Sequence, residues 1–454
     1  MTSAINRRIA QIRHGQVPKG YQMTRLGIVP SDWVMCRIGE CLERVERPVE
    51  VQANKRYTQI GIRSHGKGLF YKEQVTGAEL GNKAVFWIEP NCFILNIVFA
   101  WEQAIGKTTR AEEGMIGSHR FPMYRPINGR VDIDYLINYF LTKRGTEILE
   151  AASPGGAGRN KTLGQDRFLK SKVALPPLAE QRKIAKILAA QDGVIELKKK
   201  LLEETKRRKK ALTRMLIEPT HLNDEWRVVR VSDLFVPIAR KNTTGNTNIL
   251  TISAQDGLVN QFEYYKHQYA SVDVSVYTLL KRGEFAYNKS RSGEYPYGAI
   301  KMLDQYEEGV VSPLYLCFAA KGNACLDFWS YYFEAGMLNR SLYRIAQEGA
   351  RNHGLLNIPT DGFFESELLV PPLAVQRQIA AILSAADREI VLLQQDIEQE
   401  ELKKKALMQL LLTGIVRVRG VESGVAKRLP ADRNLLANGK QIRKECAKCR
   451  RTYQ

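Results

Sequence analysis

The chain has 454 residues, an ordinary apolar fraction of 44% and a formal net charge of +20. That length supports about two to four domains with sizeable cores, and the charge points to a polyanion partner. No apolar run approaches a membrane span and the opening MTSAINRRIAQIRHG lacks a hydrophobic signal region, so the cytoplasm is the expected compartment and no membrane contact is expected.

In chain order, residues 1–25 form an N-terminal segment with no counterpart later in the sequence. Residues 26–175 read as a first α+β domain, with β-rich runs at 57–62 and 92–101 and a helical run at 132–149. A long helix over 176–218 follows, opening LPPLAEQRKIAKIL. Residues 219–370 read as a second α+β domain, with a β-rich run at 310–320 and a helical run at 325–347. A second long helix over 371–413 opens VPPLAVQRQIAAIL, and residues 414–454 form a basic tail expected to be poorly ordered. The seven cysteines lack paired spacing and fit reduced thiols.

The doubled prolines suit helix starts and no helix interior. Apolar positions then recur in heptads: Ile184, Leu188, Ile195, Leu202 and Leu212 in the first helix, and Ile379, Leu383, Ile390, Leu393, Ile397, Leu407 and Leu411 in the second. A stripe this narrow is a coiled-coil seam, and the two helices are most simply each other's partner. Only about nine residues join the first helix to the second domain, so the pair is expected to be antiparallel. A helix of this length spans about 58 Å at roughly 1.5 Å per residue, which would hold the two domains apart.

The domains repeat as well. SDWVMCRIGECL (31–42) resembles DEWRVVRVSDLF (224–235), FILN (93–96) matches FAYN (285–288), and GMIGS (114–118) answers GVVSP (309–313). The expected fold is therefore α+β: two tandem globular domains separated by two long helices in an antiparallel coiled coil, with a pseudo-two-fold internal repeat.

Several motifs fall short of catalysis. GIRSHGKG (61–68) has P-loop spacing, but Gly68 stands where a magnesium-binding hydroxyl belongs. Glu401, Lys403 and Asp387 resemble a nuclease set but lie along one helix. Cys446 and Cys449 form a single CxxC, too few ligands for zinc. No catalytic residue, metal site or cofactor is read for this chain.

Binding chemistry is present. The stretch 286–301 places Asn288, Lys289, Ser290 and Arg291 beside Tyr295 and two glycines, a composition able to grip phosphate or read base edges. IGKTTR, with Lys107 and Arg110, is a similar stretch in the first domain. Further DNA-binding candidates there are Arg63, Ser64, His65, Lys67 and Arg120, and the pairs Arg159/Asn160 and Arg351/Asn352 precede the two long helices. Charge is uneven: residues 179–217 carry 12 Lys/Arg against 5 Asp/Glu, whereas 374–412 carry 5 against 6.

The tandem domains, each followed by a PPLAEQRKIAKIL-like or PPLAVQRQIAAIL-like helix, resemble the DNA-specificity subunit of type I restriction-modification enzymes over about 22–417. The resemblance implies two target-recognition domains that read a bipartite site in double-stranded DNA. It implies helices that bind methyltransferase subunits, two being the expected number, with restriction/translocase subunits joined through that core. Adenine methylation and ATP-driven cleavage would lie in those partners, which would use S-adenosylmethionine, ATP and Mg. The alternative is a coiled-coil scaffold for proteins, without sequence-selective DNA binding.

Overall fold

The structure is a computed structural model describing residues 2–155, 161–218, 226–253, 256–265, 273–293, 295–348, 354 and 356–418. It divides into two compact units, residues 1–192 with 403–454 and residues 193–402. The long helices Leu178–Ile217 and Leu373–Leu412 are continuous, and each contributes turns to both units.

In the first unit a four-stranded antiparallel sheet runs Ile105–Lys107, Phe93–Leu95, Met123–Pro126, Leu42–Val45. Phe93, Tyr124, Phe140 and Phe168 fill its core. Ile184 and Leu188 of the first long helix join that core, as do Leu411 and Leu412 of the second. Residues 132–149 form two helices, Ile133–Phe140 and Lys143–Ala151, because Thr142 leaves the helical path and caps the second one, accepting the Gly145 N–H at 3.2 Å.

The second unit has the same plan. Its sheet runs Ala299–Met302, Phe285–Asn288, Leu316–Ala320, Phe235–Pro237, which is the first unit's order strand for strand. Phe235, Phe285, Phe318, Trp329 and Phe333 fill the core, joined by Ile217, Ile379 and Leu383 from the long helices. The helical run 325–347 is broken at Gly336, whose φ of +72° suits glycine, giving Leu326–Glu334 and Asn339–Ile345. A strand before each domain pairs with the strand leading into the following helix: Val34–Arg37 with Lys172–Leu175, and Arg227–Arg230 with Glu367–Val370.

One run departs from expectation. Of residues 92–101, only Phe93–Leu95 is strand. The remainder is a packed loop with a 3-10 turn at Ala100–Glu102, apolar because it covers the core rather than because it continues the sheet.

Helix pairing is seen inside each unit. In the first, Lys404 Nζ meets Asp192 Oδ1 at 2.5 Å. In the second, Lys199 meets Glu401 at 2.6 Å and Lys209 meets Asp387 at 2.5 Å, an antiparallel register. All twelve apolar seam positions are buried or half-buried. The seam starts are held by matching glutamines. Gln376 Nε2 donates to Pro371 O at 3.0 Å, and Gln181 Nε2 donates to Pro176 O at 2.9 Å. Gln181 also takes the Asp132 N–H at 2.9 Å, so it ties the helix start to the domain.

Candidate nucleic-acid interface

In the second unit, strand Phe285–Asn288 leads into a loop that returns as Ala299–Met302. Asn288 shapes that loop: its Oδ1 accepts the Ser290 N–H at 3.1 Å. The Leu356 N–H donates to Lys289 O at 2.9 Å and the Arg291 N–H to Gly354 O at 2.8 Å. A Cβ on Gly298 would fall 2.3 Å from Asn288 O, so the hairpin closes only with glycine there. Arg291 is exposed and Lys289 half-buried, on a backbone fixed by these bonds.

Two candidates in this stretch are already engaged within the protein. Asn288 has its side-chain oxygen in the turn. The Tyr295 hydroxyl bonds the Glu334 carboxylate, and Lys301 Nζ lies 3.1 Å from the same hydroxyl. The Lys289–Arg291 loop bonds the chain at Gly354 and Leu356; Arg351 and Asn352 themselves lie outside the described residues, as do Arg159, Asn160, Cys446 and Cys449.

The first unit has the same loop, built on Asn96. Its Oδ1 accepts the Val98 N–H at 3.1 Å, and the Leu163 N–H donates to Ile97 O at 2.8 Å. Ile97 therefore matches Lys289, and Val98 matches Ser290. IGKTTR does not hold that place. Lys107 ends strand Ile105–Lys107 and pairs with Asp134 at 2.7 Å, and Thr108 is buried, donating to Glu89 O. Arg110 is exposed in the short turn Arg110–Glu112 that follows.

Three other segments converge on the 97–103 loop. His65 N–H donates to Glu102 O at 2.8 Å and Gly66 N–H to Gln103 O at 2.9 Å, with Ser64 Oγ 3.0 Å from Glu102 Oε2. Ile97 N–H donates to Arg120 O at 3.0 Å. Lys161 Nζ stands 5.2 Å over the Trp101 ring. Arg63, His65, Lys67 and Arg120 are exposed, so basic side chains lie on or beside the segments that meet this loop. Arg63 is braced, donating to Leu69 O at 2.9 Å with its guanidinium 5.1 Å above the Phe70 ring. The P-loop-like stretch is thus the turn between strands Ile60–Ile62 and Leu69–Tyr71.

The Ile97–Trp101 loop was missed in the sequence because it carries no cluster of polar residues, and Lys161, which follows the Arg159/Asn160 pair, was passed over beside them. The 192-residue offset between FILN and FAYN already placed Ile97 opposite Lys289.

The nuclease-like set is structural: Glu401 pairs with Lys199, and Asp387 takes Lys209 and the Tyr331 hydroxyl. Among the described residues no group of three or more His, Cys, Asp or Glu side chains is placed to hold a metal ion, and no helix is long and apolar enough to cross a membrane. What the two loops offer is charged, hydrogen-bonding and aromatic contact on rigid frames, the chemistry of nucleic-acid binding.

Comparison with known proteins agrees. Residues 30–207 match the family described as type I restriction modification DNA specificity domain. Two relatives from Methanocaldococcus jannaschii align over nearly their whole length. The putative type I restriction enzyme MjaX specificity subunit is 22% identical, covering 88% of this chain and 97% of its own. The type I restriction enzyme MjaVIII specificity subunit is 23% identical, covering 87% and 95%. The fold is shared with the crystal structure of the HsdS subunit from Thermoanaerobacter tengcongensis, at TM-score 0.52, 16% identity and coverage of 86% and 98%. A chain from a structure of the type I R-M system matches at TM-score 0.57, 16% identity and coverage of 86% and 99%. Residues 30–207 thus carry a type I restriction modification DNA specificity domain, and over most of its length the chain is similar to specificity subunits of type I restriction enzymes.

Proposed function

We propose that this chain is the DNA-reading subunit of a type I restriction-modification complex, working in the cytoplasm and carrying out no chemistry of its own. Each unit presents its loop to one part of a split site in double-stranded DNA. Methylation and cleavage fall to methyltransferase subunits, two being the expected number, and to restriction subunits joined through them. S-adenosylmethionine, ATP and Mg are assigned to those partners.

The observation that carries this reading is the pair of matching loops. Each is anchored by an Asn side chain and a backbone bond from the segment before a long helix, at nearly equal distances. The side chains displayed differ: Ile97 and Val98 in one, Lys289 and Ser290 in the other. One frame carrying different contact residues is what two readers of different sequences require. Docking of partner chains is supported by leucines left exposed on the long helices of the second unit, among them Leu197, Leu201, Leu392 and Leu402.

The test is binding by the full chain with its methyltransferase partner to a pool of duplexes. One split sequence should be enriched, with log affinity falling linearly as log salt rises, through counterion release from phosphate. A protein-only scaffold would enrich no sequence.

A further inference from the structure

The loop that carries Lys289 and Arg291 in the second unit carries an exposed aromatic ring in the first. Beyond the shared Asn turn, the next residue is Arg291 in one unit and Phe99 in the other, and both are exposed. We infer that Phe99 is a specificity-determining residue that reads an A·T pair in its half-site by apolar contact with the thymine 5-methyl group. This rests on the DNA-reading function proposed above.

A single exposed apolar side chain is ordinary on a protein surface. Phe99 differs in how it is held. Its N–H donates to Asn96 O at 3.1 Å, and its carbonyl accepts the N–H groups of Glu102 at 3.0 Å and Ala104 at 3.1 Å. Trp101 Nε1 closes the same turn onto Val98 O at 3.0 Å. The ring is therefore displayed by a fully bonded loop, and loop slack does not explain its exposure.

Its neighbours give the chemistry. Exposed Arg63, His65, Lys67 and Arg120 lie on segments bonded to this loop or leading straight into it, and they suit a phosphate backbone on either side of a groove. Ile97, Val98 and Phe99 offer no side-chain donor or acceptor, so a base met here is read by shape and apolar contact. The thymine methyl is the apolar group that a base pair presents in the major groove. A wedge between base steps would have to project freely. Phe99 is 37% exposed, so much of the residue is covered by the protein, which suits surface contact with a methyl group better than insertion between bases.

The experiment uses the full chain with its methyltransferase partner. The probes are duplexes in which each thymine of the first unit's half-site is replaced, one at a time, by deoxyuridine, which lacks only the methyl. One replacement should weaken binding by the wild-type complex about four-fold, the value of one buried methyl group. Phe99→Ala should bind the thymine and uracil duplexes alike while still selecting the other half-site. Indifference of the wild type to every replacement would overturn the inference, and so would a Phe99→Ala complex that keeps the thymine preference. If Phe99→Ala fails to fold, Phe99→Gln, which keeps much of the bulk but puts an amide in place of the apolar ring, takes its place in the same comparison. If the wild-type complex selects no split site at all, the proposed function fails and this inference falls with it.

Discussion

Lys198 and Glu400 meet across the helix pair in the second unit, Nζ to Oε1 2.9 Å, and each occupies a heptad position where an apolar side chain would pack. Lys198 also reaches Asp396 at 2.8 Å. Burial alone would lower the Lys198 pKa, but the hydrogen bonds to Asp396 and Glu400 hold it above the usual lysine value. Both side chains are largely covered, 23% and 16% exposed, so removing Lys198 takes the shared cation from two neighbouring carboxylates, Asp396 and Glu400. Lys198→Ala should cost about 1–3 kcal/mol. Replacing both by Leu should be nearly neutral or stabilising, with register less tightly defined. Urea midpoints of the variants check this; a double-Leu chain less stable than Lys198→Ala would contradict it. A raised lysine pKa gives stability that is complete below the unfolded value of about 10.4 and is lost as pH rises past it. The penalty of Lys198→Ala should therefore be constant from neutral pH to about pH 9 and shrink only above roughly pH 10.4.

Arg417 closes the first unit. Its guanidinium binds Asp32 at 2.7 and 2.8 Å and Glu180 at 2.9 and 2.7 Å. Glu180 lies in the first turn of the first long helix, and its side chain is 5% exposed. Bidentate pairing of this kind is specific to arginine. Arg417→Ala leaves a buried carboxylate and should cost about 3 kcal/mol; Arg417→Lys should recover only part of it. Hydrogen exchange at the start of the helix reads the effect, and a Lys variant equal to wild type would refute the bidentate role.

Lys289 and Asn288 should separate by mechanism. Replacing Lys289 and Arg291 with Ala should weaken DNA binding without altering the fold. If either reads a guanine, discrimination at that base falls by about 1–3 kcal/mol; phosphate contact weakens all sequences alike. Asn288→Ala should reduce binding by loosening the turn, seen as faster amide exchange at Ser290. Lost affinity with unchanged exchange would make Asn288 a DNA contact instead of a loop anchor.

Much of the fold was legible because it is written twice. The repeat placed equivalent strands at offsets of about 192–195, and the two four-stranded sheets share one order. The helix starts and the seam follow from proline placement and heptad spacing, local rules that tertiary packing did not override. The loop at Ile97–Trp101 was not legible, because an apolar run reads alike whether it is a buried strand or a packed loop. Lys107 is a related case: composition shows a cation but not the Asp134 carboxylate 2.7 Å away. Arg63, Ser64, His65 and Lys67 were legible as candidates, but not their neighbour: only backbone bonds show that this turn meets Glu102 and Gln103.

The central claim is that each unit reads its own part of the site. Residues 31–174 should be exchanged for the matching domain of a relative with another specificity, both long helices being kept, and methylated sites mapped in cells that carry the partner methyltransferase. One half of the recognised sequence should change to the relative's while the other half stays as it was. If both halves change together, or neither does, the two units do not read independently.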